Sequence, residues 1–293
     1  IDIDPAEAGK NRAPQVPLVG DVRRVLLELL KRLETDQVEP DPQLSQSWRD
    51  RIDHWRRDYP LQIPTYEQAP SPQEVIYTLG RRAPEAYYTT DVGQHQMWAA
   101  QFLKNGPRRW ISSAGLGTMG FGMPAAMGVK VALPQEEVIC ISGDASFQMN
   151  LQELATLAQY GIAVKTVIIN NGWQGMVRQW QQTFYGERYS SSNMEVGMPD
   201  FELLATAFGV RGMVVDSREE LEVAIESMLA HDGPVLMDVR VRRDENCYPM
   251  VAPGKSNAQM LGLPKQPKLT QSIEQPIRFV LTAALSYKTL LKS

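Results

Sequence analysis

Short apolar runs alternate with amphipathic stretches between residues 71 and 243. In the longer stretches apolar residues recur at helical spacing, while the short runs are nearly continuous, as in strands that are covered on both faces. The pattern predicts strands over 86–89, 137–142, 164–170, 212–215 and 235–241. It predicts helices over 96–102, 121–131, 151–160, 174–184, 201–208 and 218–229. Because strands and helices alternate, we expect an α/β fold with a doubly wound, mostly parallel sheet flanked by helices.

The two ends of the chain follow other patterns. Residues 1–4 alternate apolar and acidic residues, as at the end of a strand, and 21–33 carry apolar residues at helical spacing. Residues 36–70 are polar and proline-bearing, with a helix predicted near 44–57. Because the chain opens in what resembles a strand already inside a fold, we expect a larger N-terminal portion to precede it.

These boundaries predict four segments. They are the end of one domain (1–35), a linker (36–70), the α/β domain (71–263) and a tail (264–293). Within the tail, residues 277–291 are apolar enough to predict a short docking helix.

The composition narrows the possible partners. The chain carries 30 Lys and Arg against 34 Asp and Glu, so no global positive field attracts nucleic acid or an anionic membrane. No apolar run approaches the roughly 20 residues of a membrane span, and no targeting segment is visible. Two cysteines are too few for a disulfide framework, which favours a reducing compartment. Cys140, in an apolar run, is expected to be a buried core thiol.

Two polar residues directly follow predicted strands. Asp144 follows the strand over 137–142, and Asn171 follows the next predicted strand. A strand–helix–strand crossover gives both strands the same direction, so both side chains should emerge at one edge of the sheet. Carboxylate and amide oxygens suit magnesium, which completes its coordination with phosphate oxygens and water. The spacing predicts a magnesium-bound diphosphate, with a helix N-terminus near 147–151 as a further phosphate ligand. Taken singly, Asp144 is equally typical of a helix cap, and 170–171 of a turn.

A glycine-rich loop offers a different hypothesis. Gly115, Gly117 and Gly120 have the spacing of a dinucleotide-binding turn. That turn is paired with an acidic residue about 20 positions on, at the end of the next strand. Glu136 and Glu137 lie at this distance but precede the predicted strand. The sequence therefore disfavours a nicotinamide-dependent dehydrogenase.

Longer segments around the two strand ends carry a resemblance to a known family. Residues 143–156 and 170–180 resemble acetohydroxyacid synthases (acetolactate synthases), a family of thiamine-diphosphate enzymes. The similarity runs from residue 1 to about 263, so the chain resembles the C-terminal part of the large catalytic subunit. Ala145 departs from the family signature, which usually has glycine there, and is tolerable if its φ is negative. Trp173 also departs, but the family uses that position's backbone carbonyl as a magnesium ligand.

The resemblance implies a set of cofactor-binding residues. It implies magnesium ligands at Asp144, Asn171 and the Trp173 carbonyl. It implies that thiamine diphosphate is contacted by Gln94, His95, Gly117, Thr118, Met119, Asp144, Ala145, Ser146, Asn171, Gly172, Trp173, Gln174, Gly175 and Met176.

Three of the residues singled out by the resemblance are candidate catalytic residues. Met119 would support the bent form of the cofactor, Met176 would lie near its reactive ring, and Trp180 would shape the pocket for the second keto acid. Without the resemblance, Met119 would be an ordinary core residue, and the spacing of Met176, Val177 and Trp180 on one predicted helix is that of core packing. A lone His95 at a helix start would likewise be a capping or exposed residue.

The resemblance also implies that residues 1–35 are the end of a central FAD-binding domain. Asp2, Ile3, Asp21 and Val22 would then contact FAD. The alternative for Asp2 is a solvated strand end, and for Asp21 a helix N-cap.

The activity implied by the resemblance is decarboxylation of pyruvate and transfer of its two-carbon unit to pyruvate or 2-ketobutyrate, in branched-chain amino acid biosynthesis. The family also implies a homodimer or homotetramer, a small regulatory subunit, and a cytoplasmic location, or the plastid stroma in a photosynthetic eukaryote. In the family, a Glu from the N-terminal domain of a partner subunit activates the cofactor. That domain lies outside this sequence, so we expect the isolated chain to be inactive. The alternatives are another enzyme of the family, such as a pyruvate oxidase or glyoxylate carboligase, and a non-catalytic binding fragment.

Overall fold

The computed structural model describes residues 1–39 and 41–262, without the side chain of Leu44. The chain divides into two compact units, Ile1–Gln62 and a second unit that begins at Ile63. The division lies inside the segment predicted as a linker. The predicted tail, with its helix over 277–291, lies outside the described residues.

The first unit contains two helices. These are α1 (Val22–Thr35) and α2 (Pro42–Asp58), close to the predicted ranges. The strand end predicted at the start of the chain is a single parallel bridge between Asp2 and Val19. No described side chain of this unit is buried. The apolar positions of α1 therefore remain at least partly exposed.

The second unit is built around one six-stranded sheet. Its strands are β1 (Tyr87–Thr90), β2 (Trp110–Ser112), β3 (Val138–Gly143), β4 (Lys165–Asn170), β5 (Arg211–Val215) and β6 (Val235–Arg240). Its helices are α3 (Pro72–Arg82), α4 (Gln94–Phe102), α5 (Gly122–Ala132), α6 (Asp144–Phe147), α7 (Leu154–Tyr160), α8 (Gly175–Phe184), α9 (Phe201–Ala207) and α10 (Leu221–Leu229). A short antiparallel pair follows, formed by β7 (Met250–Val251) and β8 (Met260–Leu261).

The six-stranded sheet is parallel throughout, in the order β2-β1-β3-β4-β6-β5. Successive residues of β3 enter different cores. Ile139 and Ile141 join the core that includes residues of α3, α4 and α10, whereas Val138 and Cys140 join the core that includes residues of α5, α7 and α9. Because side chains alternate along a strand, both faces of the sheet are covered by helices. The predicted doubly wound α/β fold is confirmed.

The pattern predicts neither β2 nor α3. β2 is three residues long at the edge of the sheet, too short to show a periodicity. α3 has a helix start signal that the pattern analysis did not use: Pro72 opens it, and the Ser71 side chain accepts the Glu74 N–H at 3.2 Å. Most other boundaries agree within one or two residues.

Cys140 is fully buried, as predicted, and Cys247 is buried as well. Both thiols are free. Among the helices of the described residues, none has the length and apolar character that crossing a membrane requires.

Candidate functional site

The carboxyl ends of β1, β3 and β4 meet along one edge of the sheet. From β1 the chain continues through α4 to β2 on one side, whereas from β3 it continues to β4 on the other. Parallel sheets bind ligands at such a reversal of strand order, outside the carboxyl ends of the strands. Here the loops that follow the three strands, within residues 92–95, 143–146 and 171–177, line a cleft.

Asp144 lies directly after β3 and is buried. Its Oδ1 accepts the Ala145 N–H at 2.8 Å, and its Oδ2 accepts the Gly172 N–H at 2.7 Å. The second bond joins the two strand ends, which therefore lie together as the spacing predicted. Burial raises the pKa of Asp144 to about 7 against these two hydrogen bonds. A cation beside the carboxylate would lower that pKa again, because it favours the charged form.

The helix N-terminus predicted near residues 147–151 is that of the helix predicted over 151–160, which the structure shows as a 3-10 turn (Leu151–Glu153) followed by α7. It does not line the cleft; the helix that starts there is α6, which begins at Asp144 and spans one turn. The Ala145 N–H, near the start of α6, is already bound by the Asp144 carboxylate. The sequence did not predict α6, because one turn is too short to carry an amphipathic pattern.

Asn171 is buried one residue beyond β4. Its Oδ1 accepts the Trp173 N–H at 3.1 Å, and its Nδ2 donates to Gln94 Oε1 at 3.4 Å. The amide nitrogen is thus committed to a protein acceptor. The amide oxygen, which is the atom that a hard cation requires, remains available on its second lone pair.

His95 lies in the first turn of α4 and is buried. Its Nε2 is buried without a hydrogen-bond partner, and the residue lines the cleft. Burial lowers the pKa of His95 to about 4, so the ring is neutral at pH 7. A buried polar atom without a partner costs about 1–3 kcal/mol, which a polar ligand atom in the cleft would offset.

Two glycines allow the loops to approach one another. A Cβ on Gly143 would lie 2.8 Å from His95 Nδ1, and a Cβ on Gly175 would overlap Gln94 Oε1. Any larger residue at Gly143 or Gly175 would displace a neighbouring side chain of the cleft.

Most predicted cofactor residues of the second unit come together. The cleft is lined by Gln94, His95, Met119, Asp144, Ala145, Ser146, Asn171, Trp173, Gln174, Gly175 and Met176. Ala145 lies in helical backbone and is not among the residues with positive φ, so its departure from glycine is tolerated.

Four predicted residues do not line this cleft. Gly117 (φ 76°) and Thr118 lie in an exposed loop before α5. Gly172 contributes its N–H to Asp144 rather than a surface to the cleft. Trp180 packs edge-to-face against Phe184, with ring centroids 5.2 Å apart. The roles of these four residues, like those of the residues that line the cleft, remain predictions.

The residues predicted to contact FAD lie in the first unit and are exposed: Asp2, Ile3, Asp21 and Val22. Asp21 Oδ1 accepts the Arg24 N–H at 3.0 Å, which is the N-cap arrangement that was the alternative for this residue. Contacts with FAD remain predictions.

The donor set of the cleft fits a magnesium-bound diphosphate. Asp144 and Asn171 offer hard oxygens, as magnesium prefers. Among the described residues, no group of three or more histidine, cysteine, aspartate or glutamate side chains could hold a metal ion. A cation at Asp144 and Asn171 therefore needs oxygens from backbone, water or phosphate, which matches a diphosphate-bound ion.

Two residues with structural roles at the site were not assigned any from the sequence. Asp91 Oδ1 accepts the Gly122 N–H at 2.9 Å, and its Oδ2 accepts the Ser142 hydroxyl, so it ties the ends of β1 and β3 to the start of α5. Its position directly after a strand is the signal that identified Asp144. Gln179 is fully buried and hydrogen-bonds Gln94, 85 residues away. No local pattern marks it.

Comparisons with known proteins agree with this geometry. The family "Thiamine pyrophosphate enzyme, C-terminal TPP binding domain" matches residues 91–239, which include all three loops of the cleft. A solved structure, the thiamine diphosphate-dependent 4-hydroxybenzoylformate decarboxylase of Rhodococcus jostii RHA1, aligns with a TM-score of 0.58 and 29% identity. The alignment covers 64% of this chain and 35% of the decarboxylase.

Curated relatives are more similar in sequence. The acetolactate synthase large subunit of Porphyra purpurea is 57% identical over 272 residues, which are 93% of this chain and 46% of that protein. That of Parasynechococcus marenigrum (strain WH8102) is 58% identical over 269 residues, which are 92% of this chain and 43% of that protein. The chain thus spans less than half the length of these relatives.

Proposed function

The chain belongs to the thiamine pyrophosphate enzyme family, and from this premise we propose that it is the cofactor-binding part of an acetolactate synthase large subunit. The premise is supported by the family match over residues 91–239 and by 57% identity to such a subunit over 93% of the chain. The observation that carries the proposal is the meeting of Asp144 and Asn171 at neighbouring strand ends, over a cleft that also holds the unpartnered His95 Nε2.

Within this proposal, Asp144, Asn171 and the Trp173 carbonyl hold a magnesium ion that binds the diphosphate. His95 and the backbone N–H groups at the start of α4, whose N-cap residue Gly93 has no side chain to cap them, line the cleft where the anion would lie. The Gln94 side chain has a different task, because both of its amide protons are used inside the protein. Bound thiamine diphosphate supplies the electron sink for decarboxylation of a 2-keto acid.

Further residues orient the cofactor and the substrates. Met119 lines the cleft and supports the bent cofactor. Met176 lies at the cleft and packs against the core, so its position is fixed by packing. Trp180, on the next turn of α8, shapes the approach of the second keto acid. These apolar side chains would also exclude water from the reacting groups.

A chimera tests the activity. In it this chain replaces the matching segment of the Porphyra purpurea large subunit. We expect the purified chimera, with thiamine diphosphate, magnesium, FAD and pyruvate, to form 2-acetolactate, and with added 2-ketobutyrate to form 2-aceto-2-hydroxybutyrate. Acetyl phosphate would instead indicate a pyruvate oxidase, and tartronate semialdehyde from glyoxylate would indicate a glyoxylate carboligase. A chimera that folds, binds the cofactor and makes no acetolactate would refute the proposal.

The isolated chain is a second test. We expect it to bind thiamine diphosphate weakly and only with magnesium, as measured by calorimetry with and without a chelator. We also expect it to release no carbon dioxide from pyruvate, because no glutamate of a partner subunit reaches the cofactor. Robust turnover by the chain alone would contradict the need for that glutamate.

The proposal includes further expectations for the complete protein. Asp2, Ile3, Asp21 and Val22 contact FAD, so the purified chimera should show flavin absorbance that is reduced by Asp21→Ala. The protein is a homodimer or homotetramer with a small regulatory subunit, and it resides in the cytoplasm or the plastid stroma. Sedimentation of the chimera would measure its oligomeric state.

A further inference from the structure

A chain of buried side-chain amides leads from Asn171 to the segment after β6. Asn171 Nδ2 donates to Gln94 Oε1 at 3.4 Å, and Gln94 Nε2 donates to Gln179 Oε1 at 2.8 Å. Gln179 in turn bonds the Cys247 backbone twice: its Oε1 accepts the Cys247 N–H at 2.8 Å, and its Nε2 donates to the Cys247 carbonyl at 2.9 Å. All three amides are buried, and Gln179 is 0% exposed.

The series of hydrogen-bonded amides has a direction, because the oxygen and nitrogen ends of a carboxamide differ chemically. The oxygen and nitrogen ends of an Asn or Gln amide have nearly the same shape, so packing alone does not select between the two orientations. Hydrogen-bond partners make that selection. A backbone peptide cannot exchange its N–H and C=O, so Cys247 defines which end of Gln179 is the oxygen.

The orientation then passes to Gln94. Gln179 Oε1 can bond only to a hydrogen-bond donor, so the nitrogen end of Gln94 must face it. The Glu245 carbonyl accepts the other proton of that nitrogen at 3.2 Å. Gln94 consequently presents its oxygen to Asn171, whose nitrogen turns toward it. The Asn171 oxygen accepts the Trp173 N–H at 3.1 Å, which selects the same orientation, and its second lone pair is left for the cleft. A reversed amide would place two N–H protons where the cation must bind.

We propose that Gln179 is a positioning residue for the cation site: through Gln94, and together with the Trp173 N–H, it holds the Asn171 amide with its oxygen toward the cleft. The inference rests on the proposed function, because it concerns the same magnesium site. It assigns to Gln179 and to the segment around Cys247 a role in cofactor binding that neither has by direct contact.

The variant that tests this inference is Gln179→Leu, which keeps the approximate volume and removes the hydrogen bonds. The matched control is Gln182→Leu. Gln182 lies on the same helix and accepts the Asn246 side-chain N–H at 2.9 Å, so it holds the same segment but has no bond to Gln94. Magnesium is titrated into each chain with thiamine diphosphate present, and binding is followed by calorimetry.

We expect Gln179→Leu to weaken magnesium binding about 10–100-fold, the usual effect of removing a group that orients a metal ligand. Gln182→Leu should change it less than about threefold, within the context dependence of a remote hydrogen bond. Equal losses in both variants would mean that Gln179 acts only by anchoring the segment, and would overturn the inference.

A double variant isolates the orientation itself. The two oxygens of a carboxylate are equivalent, so Asn171→Asp has no wrong orientation to adopt. In that background Gln179→Leu should not weaken magnesium binding and should relieve the repulsion between Gln94 Oε1 and the new carboxylate. A loss of the same size as in the Asn171 background would refute the role of orientation, whereas its disappearance would support it.

A third readout requires no cofactor. In nitrogen-15 spectra of the ligand-free chain, we expect the Asn171 side-chain N–H protons to exchange slowly with water, to lose this protection in Gln179→Leu and to keep it in Gln182→Leu. Unchanged protection in Gln179→Leu would overturn the inference. If instead the unaltered chain shows this protection but neither it nor the chimera binds thiamine diphosphate, the proposed function is refuted. The hydrogen-bonded series of Asn171, Gln94 and Gln179 would still be supported by the protection.

Discussion

The two units differ in how far their apolar residues are buried. In the first unit, α1 has a strongly apolar side, yet Val22, Leu26, Leu29 and Leu30 are 41–56% exposed. In the second, Ile139 and Ile141 of β3 are 0% exposed between two layers of helices. The same kind of periodicity therefore predicts an element in both units, but a core in only one. Periodicity identifies the apolar face of an element and not what covers it.

Acidic residues show the same contrast. Asp21 and Asp144 each stand at the start of a helix and accept a backbone N–H. Asp21 is exposed. Asp144 is buried and its pKa is raised to about 7, so its ionised form depends on its surroundings. A buried charge carries a desolvation cost that a bound cation can offset, whereas an exposed charge carries no such cost.

The largest expected difference between the units concerns cation binding. Asp144→Ala removes a direct ligand, so magnesium-dependent binding of thiamine diphosphate should fall by more than about 100-fold, beyond the usual loss for an orienting group. The measurement is calorimetry with the chimera. The control is Asp53→Ala, in the first unit, where the side chain is 56% exposed in an ion pair with Arg56. Unchanged affinity in Asp144→Ala would remove Asp144 from the site.

The next difference concerns the core. Ile141→Ala should lower the free energy of unfolding of the second unit by about 3 kcal/mol, because it leaves a cavity in packed β3. Leu30→Ala, at a position 56% exposed, should cost less than about 1 kcal/mol. Hydrogen exchange in increasing urea, read by peptide mass spectrometry, resolves the two units separately. Similar costs for the two variants would show that α1 is packed in solution, and would remove the contrast between the units.

The smallest expected effect concerns the cap of α1. Asp21→Ala removes the acceptor for the Arg24 N–H and should destabilise the start of the helix by about 1 kcal/mol. Hydrogen exchange of the first turn of α1 measures the change, and Asp21→Asn is the matched control because asparagine also caps helices. An effect several times larger would mean that Asp21 holds more than the first turn of its helix.

Much of the site could be predicted from the sequence, because the end of a buried strand can be recognised where a continuous apolar run stops. Asp144 and Asn171 each follow a continuous apolar run, and parallel strands place such residues at one edge. The resemblance of residues 143–156 and 170–180 to acetolactate synthases is confirmed by the relatives. The hydrogen bonds of Gln179 could not be predicted, because its partners Gln94 and Cys247 are far away in sequence and no local sequence pattern marks the residue.

The sequence by itself determined the alternation of strands and helices, the parallel sheet, the two strand-end positions proposed as metal ligands, and the family. These depend on periodicity and on residues next to strand ends, which are local properties of a chain. Only the tertiary structure decided that the amides of Asn171, Gln94 and Gln179 form one buried series, that His95 Nε2 lacks a partner, and that the apolar side of α1 remains exposed. Burial and hydrogen-bond pairing are set by groups distant along the chain, so no local pattern records them.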